Sequence, residues 1–525
     1  MRIWIIIIFA VNILSAVDDS LLLPIDSLEI EKALDSLANQ GFFDYEMSNK
    51  EDSLLIVYDA EKTKFGNISY IVESKDTSLD IDSPVFLTSE NLYDWILKIA
   101  REFADNGYPF AKIKINKLEI SQNKADIALQ INRNNRIKIH DVHIYENTKT
   151  KSSSIRKQML LEKGQLYRIS EIEKGISRVN RKGIVKFSKT HNIARDNQGN
   201  WYIGLNGEDI AQSSAQGLIT AHRNAEDIME FGGQIQANIK NIWGKARVFH
   251  LEWEKLNSEN ALLEFKAYDP NFAGTFFGAE LYFGQNTKST FLKRTLKINA
   301  EYPIGYIWDI SAGFDFKWTI PDSSGLWRHR IPYQNSSGFV LGSRASTIDN
   351  PDFPKRGFYS DVELIGSINT FDAPKDAIAE ENMKDQYELR TNISGSYVQY
   401  LDFWGPFIRF GAKGILTTTA KELSISQKEY IGGFNTIRGH LEDEAYGDRI
   451  FYSGAELRFL LAPKSAIFPF FDFGIYNENV ISNIYGYGIG IISQTAIGMI
   501  SISYGISPER NMTNGLLHFG IRSQF

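Results

Sequence analysis

The chain has 525 residues, 43% of them hydrophobic and 23% charged, which is enough apolar material for several folded domains and excludes wholesale disorder. Its net charge of −7 leaves no basic excess to neutralise phosphates, so nucleic acid is not expected as a partner, and the basic run Arg178 to Lys189 reads as a solvated face. With no cysteine there is no disulfide framework, thiol nucleophile or zinc–thiolate site.

Aromatic residues are abundant at 13%, with 34 Phe and 24 Tyr. Such enrichment suits a large β-rich surface and the aromatic girdles of membrane barrels, and equally an aromatic soluble β-protein. At the N-terminus Arg2 precedes an apolar run from Ile3 to Leu14, and Ser15 and Ala16 follow as small residues. The pattern predicts a secretory signal over 1–16, with Leu14 departing from the ideal cleavage sequence. No later run approaches the roughly 18 apolar residues of a spanning helix, so any membrane crossing must be of another kind.

Residues 17–208 read as three α+β units, 17–64, 65–134 and 135–208. The first has a helix over Asp26 to Asn39, with Ile30, Ala33, Leu34 and Leu37 on one face and Gly41 at its end. Strands at Phe42 to Met47 and Ser53 to Tyr58 follow. The second has a strand at Phe65 to Glu73 and a helix from Thr88 with Leu92, Trp95, Ile96, Ile99 and Phe103 at helical spacing. Strands at Phe110 to Ile120 and Ala125 to Ile131 complete it. The third has a strand at Arg136 to Tyr145, helical segments near 153–161 and 170–181, and two closing strands. Recurrence of this order at roughly 70 residues marks an internal repeat.

After about residue 209 helical periodicity gives way to period two. In Val248 to Glu254, Phe249, Leu251 and Trp253 take one face while His250, Glu252 and Glu254 take the other. At the end of the chain Leu517, Phe519, Ile521, Ser523 and Phe525 oppose His518, Gly520, Arg522 and Gln524. A soluble sandwich also alternates, but its single shared core has no room for so many apolar faces. Roughly sixteen segments of about ten residues fit a transmembrane barrel over 209–525, lipid-facing on one side and lumen-facing on the other.

The longest interval between strands, about 417–449, contains Tyr430-Ile-Gly-Gly-Phe-Asn-Thr-Ile-Arg-Gly-His440. Gly432, Gly433 and Gly439 permit positive φ and close approach of other chain, so Arg438 sits on a tight, directed loop. The same glycines would serve an ordinary exposed turn with a solvated arginine.

Three soluble repeats, then a barrel, then an Ile-Arg-Gly loop before the twelfth strand together resemble the BamA/TamA superfamily of outer-membrane assembly factors, the bacterial surface antigen family. Thr347-Ile-Asp-Asn-Pro-Asp-Phe-Pro-Lys-Arg-Gly357, Phe470-Phe-Asp-Phe-Gly474, Gly486-Tyr-Gly-Ile-Gly490, Ile502-Ser-Tyr-Gly505 and the aromatic terminus at Phe525 resemble its strand motifs. The resemblance implies α+β POTRA repeats (polypeptide-transport-associated) followed by an antiparallel transmembrane β-barrel of about 16 strands. One departure is His440, where the family usually has Phe or Tyr; Tyr446 is the candidate for supplying the missing aromatic contact.

Alternation turns Phe470, Asp472 and Gly474 inward on one strand, and Glu456 and Arg458 inward on another. A carboxylate in a partly desolvated lumen is costly unless paired, and Arg438 could fold back to give a two-pronged contact. Alternatively these carboxylates line a wet lumen and pair with other Lys or Arg. The resemblance implies the pair Arg438–Asp472, with Glu456 as second acceptor.

No Gly-x-Ser-x-Gly or His-Glu-x-x-His is present, so neither an enzyme site nor a cofactor or metal is expected, and His250 and His518 read as polar lumen residues. The resemblance further implies an assembly factor at the outer membrane, with its repeats in the periplasm. Expected partners are unfolded outer-membrane or secreted β-rich proteins, periplasmic chaperones or assembly partners, and the lipid bilayer. In this reading the seam between first and last strands opens to template clients, weakened by Gln212, Ser213, Ser214 and Gly520 and bounded by Phe525. The alternative is a two-partner secretion transporter exporting one exoprotein; a passive porin comes third. Three repeats look more like the TamA type than a main insertase.

Overall fold

The computed structural model describes residues 20–522 apart from 25–26, 44, 51–52, 59–61, 74, 78–80, 146–148, 211–212, 224–228, 256–260, 351–352, 379–382, 419–422, 479, 496–497 and 511. The expected signal at 1–16 and the residues Gln212 and Phe525 lie outside the described residues. The chain divides into two compact units, Met1–Ile139 with Gly164–Ser170, and His140–Lys163 with Glu171–Phe525.

In the first unit, helix Ser27–Gln40 ends at Gly41, whose φ of +93° is the left-handed conformation that glycine adopts cheaply. A three-stranded sheet accompanies it, ordered Ser20–Pro24, Ser53–Tyr58, Tyr45–Lys50. The strand at Ser20–Pro24 is additional to the expected elements. A four-stranded sheet follows, ordered Lys75–Thr77, Lys64–Val72, Lys124–Asn132, Lys112–Ser121.

Helix Ser89–Asp105 is capped by Thr88, whose Oγ1 accepts the Asn91 N–H at 3.0 Å. It packs Trp95, Ile99 and Phe103 against Ile127, Leu129 and Ile131 of the inner strand. The outer strand Lys112–Ser121 keeps one edge open, with Ile115 42% and Leu118 40% exposed.

The second unit begins with a sheet ordered Ile139–Ile144, Trp201–Asp209, Val185–Arg195, with helices Ser152–Gln158 and Ile169–Arg181. A 16-stranded antiparallel sheet follows, running from Ser214–Arg223 to Leu516–Arg522 with each strand beside its sequence neighbour. Its outward residues are apolar and exposed, among them Phe314, Phe339, Leu389, Phe451, Phe471 and Ile489. Inward residues are buried and polar, among them Asp315, Asn369, Glu388, Arg409, Asp472 and Ser503. Apolar outside and polar inside is the inverse of a soluble core and the signature of a barrel in lipid. No helix of the described residues is long and apolar enough to cross a membrane.

The helical half of the basic run, Arg178 to Lys182, corrects the sequence reading, while Lys186 and Lys189 are exposed as expected. Arg178 is 6% exposed and donates from Nη2 to Asp309 Oδ1 on the seventh barrel strand, Trp308–Pro321. Lys182 Nζ reaches Asp309 Oδ2 at 3.3 Å, and Arg181 Nη2 donates to the Tyr306 carbonyl. The helix is therefore docked on the turn between the sixth and seventh strands. Sequence gave no warning, because the acceptor lies 131 residues away.

Asp309→Ala is expected to weaken this docking by about 2 kcal/mol, since two cations lose a charged acceptor. Faster proteolysis within Ile169–Arg181 on the otherwise folded protein would report it.

Candidate functional site

The eleventh strand, Trp404–Thr417, and the twelfth, Arg449–Ala462, are joined by the long loop, which carries a small hairpin of Glu429–Ile431 and Ala445–Gly447. The chain turns back at Gly432 and Gly433, with φ of +122° and +93°. Thr436 Oγ1 closes this turn by accepting the Gly432 N–H at 2.9 Å and donating to the Gly432 carbonyl at 2.8 Å. Gly439, φ +91°, follows Arg438, and a Cβ there would stand 2.7 Å from the Ile506 carbonyl oxygen. Only glycine satisfies both the dihedral and the approach.

Arg438 is 3% exposed and Asp472 fully buried. The guanidinium grips Asp472 with two prongs, Nε to Oδ2 at 2.7 Å and Nη2 to Oδ1 at 2.9 Å. Its third nitrogen, Nη1, donates to Glu456 Oε1 at 2.8 Å, and its backbone N–H adds 3.1 Å to Asp472 Oδ2. Burial opposes charge on this arginine, but Asp472 and Glu456 outweigh it and hold its pKa above the ordinary value. The flat face of the guanidinium lies 3.7 Å from the centre of the Phe470 ring.

Two further arginines complete the cluster. Arg458 Nε donates to Glu456 Oε2 at 2.8 Å, and Arg409 Nη2 donates to Asp472 Oδ2 at 3.0 Å. Arg409 also donates to the Asn435 and Thr436 carbonyls, so it holds the loop backbone and the carboxylate together. Sequence reasoning missed Arg409, although alternation with exposed Ile408 and Phe410 turns it inward.

The wall is shaped for the loop. A Cβ on Gly486 would stand 1.9 Å from the Arg438 carbonyl oxygen, and one on Gly505 2.5 Å from the Gly439 nitrogen. The segment at 347–357 contributes Phe353, which packs with Phe468 and Phe470 beneath the arginine.

His440 does not take over an aromatic contact. Its Nδ1 lies 2.9 Å from Glu444 Oε1 and its Nε2 3.1 Å from the Tyr485 carbonyl oxygen, so both ring nitrogens face acceptors. The Tyr446 ring lies beside Tyr430 with centroids 5.9 Å apart, and Phe470 supplies an aromatic face to Arg438. His440→Ala is expected to destabilise the loop by about 1 kcal/mol, measured as faster proteolysis within the loop.

Burial pushes the Glu444 carboxyl up, but hydrogen bonds from His440 and the Leu441 N–H, with the nearby charge of Arg510, outweigh it and hold its pKa below the ordinary value. A depressed folded-state pKa adds stability above the unfolded carboxylate's range, and that stability is lost as pH falls through the lower folded value. The loop's resistance to proteolysis should hold at about pH 6 and weaken below about pH 4, and Glu444→Gln should remove that dependence.

Of the residues expected at the seam, Ser213 Oγ accepts the Lys240 N–H at 3.1 Å and Ser214 pairs with Asn238, tying both to the second strand. Gly520 lies under the Phe434 ring, which a Cβ would approach to 2.3 Å. His250 faces inward with Nδ1 2.6 Å from Asn238 Oδ1, and His518 Nε2 accepts the Gly439 N–H at 2.9 Å.

The loop reaches strands all round the sheet. Lys288 of the fifth strand, Gly278–Lys288, meets Asp443 at 2.8 Å, and Lys293 of the sixth, Phe291–Ile304, meets the Ser426 carbonyl at 3.2 Å. Arg390 of the tenth strand, Gln386–Gln399, holds Glu429, and His518 lies on the sixteenth. One loop can touch strands this far apart only if the sheet curls around it. The loop therefore stands inside the lumen and braces its wall.

A family model described as the Omp85 superfamily domain matches residues 241–525, and one described as a surface antigen variable number repeat matches 137–204. The outer membrane protein assembly factor BamA of Nitratidesulfovibrio vulgaris is 21% identical over 478 residues, covering 84% of this chain and 58% of that protein. BamA of Neorickettsia risticii is 24% identical over 166 residues, covering 28% of this chain and 22% of that protein. The chain thus spans little more than half of the first relative and under a quarter of the second. The solved structure of CdiB from Escherichia coli shares the fold with a TM-score of 0.51 at 11% identity, covering 88% of this chain and 90% of that one.

Proposed function

Because the chain belongs to the Omp85 superfamily, we propose that it assembles β-rich client proteins at the bacterial outer membrane, with its N-terminal modules in the periplasm. The observation that carries this reading is a lipid-faced sheet whose first and last strands stand at its two ends, preceded by a module with an open sheet edge. An open edge offers unpaired N–H and C=O groups to an extended polypeptide, the physical basis of strand addition. Lys112–Ser121 is such an edge for an unfolded client, and the meeting of Ser214–Arg223 with Leu516–Arg522 is the seam at which client strands are templated.

The modules over Ser20–Tyr58 and Lys64–Asn132 act as further repeats of the kind matched at 137–204. Three repeats favour an accessory assembly factor of the TamA type. Chaperones and assembly subunits would meet the repeats, and the bilayer meets the barrel. No catalytic chemistry is assigned to it.

Depletion followed by quantification of the outer-membrane proteome tests the proposal. A decline of several barrel proteins together supports it. Loss of a single secreted protein would replace it with the two-partner transporter, and no change in either would leave a porin or anchor.

A further inference from the structure

We propose that His518 is a positioning residue through which the arginine loop holds the last barrel strand in place. That strand is described over Leu516–Arg522, and its ladder runs to Gly498–Ile506. A strand at the end of a sheet lacks the second ladder that secures interior strands.

The loop supplies support from the lumen side. His518 Nε2 accepts the Gly439 N–H at 2.9 Å, which requires the ring proton on Nδ1. Two residues further along the same face, Gly520 seats the Phe434 ring. Arg510, in the turn that leads into the strand, donates to the Gly439 carbonyl at 3.3 Å and to Glu444 Oε2 at 3.1 Å.

Gly439 follows directly on Arg438, which is fixed to Asp472 on the thirteenth strand, Ser465–Asn477, and to Glu456 on the twelfth. The loop backbone therefore links the twelfth and thirteenth strands to the sixteenth without passing through the two strands between. Displacing the last strand must break the bond to His518 or pull Arg438 away from its carboxylates. Because the break is cheaper at the single neutral hydrogen bond than at the buried ion pairs, His518 is where the tie yields. Its role in seam opening rests on the function proposed above, whereas the tie itself does not.

Hydrogen exchange of the full-length protein in bilayer nanodiscs, read by mass spectrometry, tests the tie. His518→Phe keeps the ring bulk and removes the acceptor. Its last-strand amides should exchange roughly tenfold faster while those of Ser465–Asn477 stay unchanged, and His518→Gln, whose amide oxygen can accept, should restore most of the protection. Unchanged exchange in His518→Phe would overturn the inference, and so would equal acceleration of both strands, which marks general destabilisation. Should His518→Phe fail to fold, the wild type decides. Protection of Leu516–Arg522 close to that of Gly498–Ile506 supports the tie, and exchange as fast as in an unfolded peptide of the same sequence overturns it. A failed depletion experiment would leave these outcomes untouched.

Discussion

Asp472→Ala is expected to lower the unfolding free energy of the barrel by about 3–5 kcal/mol, the cost of leaving buried charge uncompensated. The carboxylate accepts from Arg438 Nε, Arg438 Nη2, the Arg438 N–H and Arg409 Nη2, so one substitution strips two guanidiniums of an acceptor. Solvent cannot compensate, because Asp472 is fully buried and the two arginines are 3% and 8% exposed. Glu456 remains for Arg438 but is already shared with Arg458. Asp472→Asn should fall between, since the amide oxygen still accepts while the charge is gone. Urea unfolding of the refolded protein in detergent, followed by tryptophan fluorescence and by the gel shift of the folded barrel, measures both variants.

Gly486→Ala is expected to cost about 3 kcal/mol or more and to expel the loop from the lumen. The added methyl would lie 1.9 Å from the Arg438 carbonyl oxygen, and the obstacle is backbone, which has no free end to swing aside. The strand cannot yield either, since Gly486 pairs with Asp472. The methyl and the arginine clamp thus compete for one space, and the clamp must open if the strand is to stay in register. A protease added from the loop side should cleave between 430 and 440 in this variant and not in wild type. Gly366→Ala is the control: nothing lies within 4 Å of its Cβ position, and it should behave as wild type.

Much of the architecture was legible because period two records which side of a strand meets lipid. The inward placement of Asp472 and Glu456 and the outward placement of Phe471 and Leu457 needed no more than counting by twos. The pairing of Arg438 with Asp472 was expected from the family resemblance; the residues alone marked a directed cation and inward carboxylates in need of partners. Arg409 obeyed the same alternation and was passed over because its strand carries no motif. The docking of Arg178 and Lys182 was not legible at all. A basic helix face looks alike whether it meets water or an aspartate, and the acceptor Asp309 reveals itself only once the helix lies on the barrel strand that carries it. His440 misled because replacement of an aromatic suggested a lost contact, whereas the ring found two oxygen acceptors and Phe470 supplied the aromatic face. Gly520 also makes room for the Phe434 ring, which lies far earlier in the chain and which alternation could not indicate.

The brace itself is tested most directly by a double-mutant cycle on Arg438 and Asp472 in the urea assay. Asp472→Ala leaves both Arg438 and Arg409 short of an acceptor and Arg438→Ala leaves Asp472 with Arg409, whereas the double variant removes cation and anion together and leaves Arg458 with Glu456 and Arg409 with the loop carbonyls. The brace predicts that the double variant is no less stable than the weaker single one, a coupling of about 2–3 kcal/mol. Losses that simply add would show that the two side chains stabilise the barrel independently, and would contradict it.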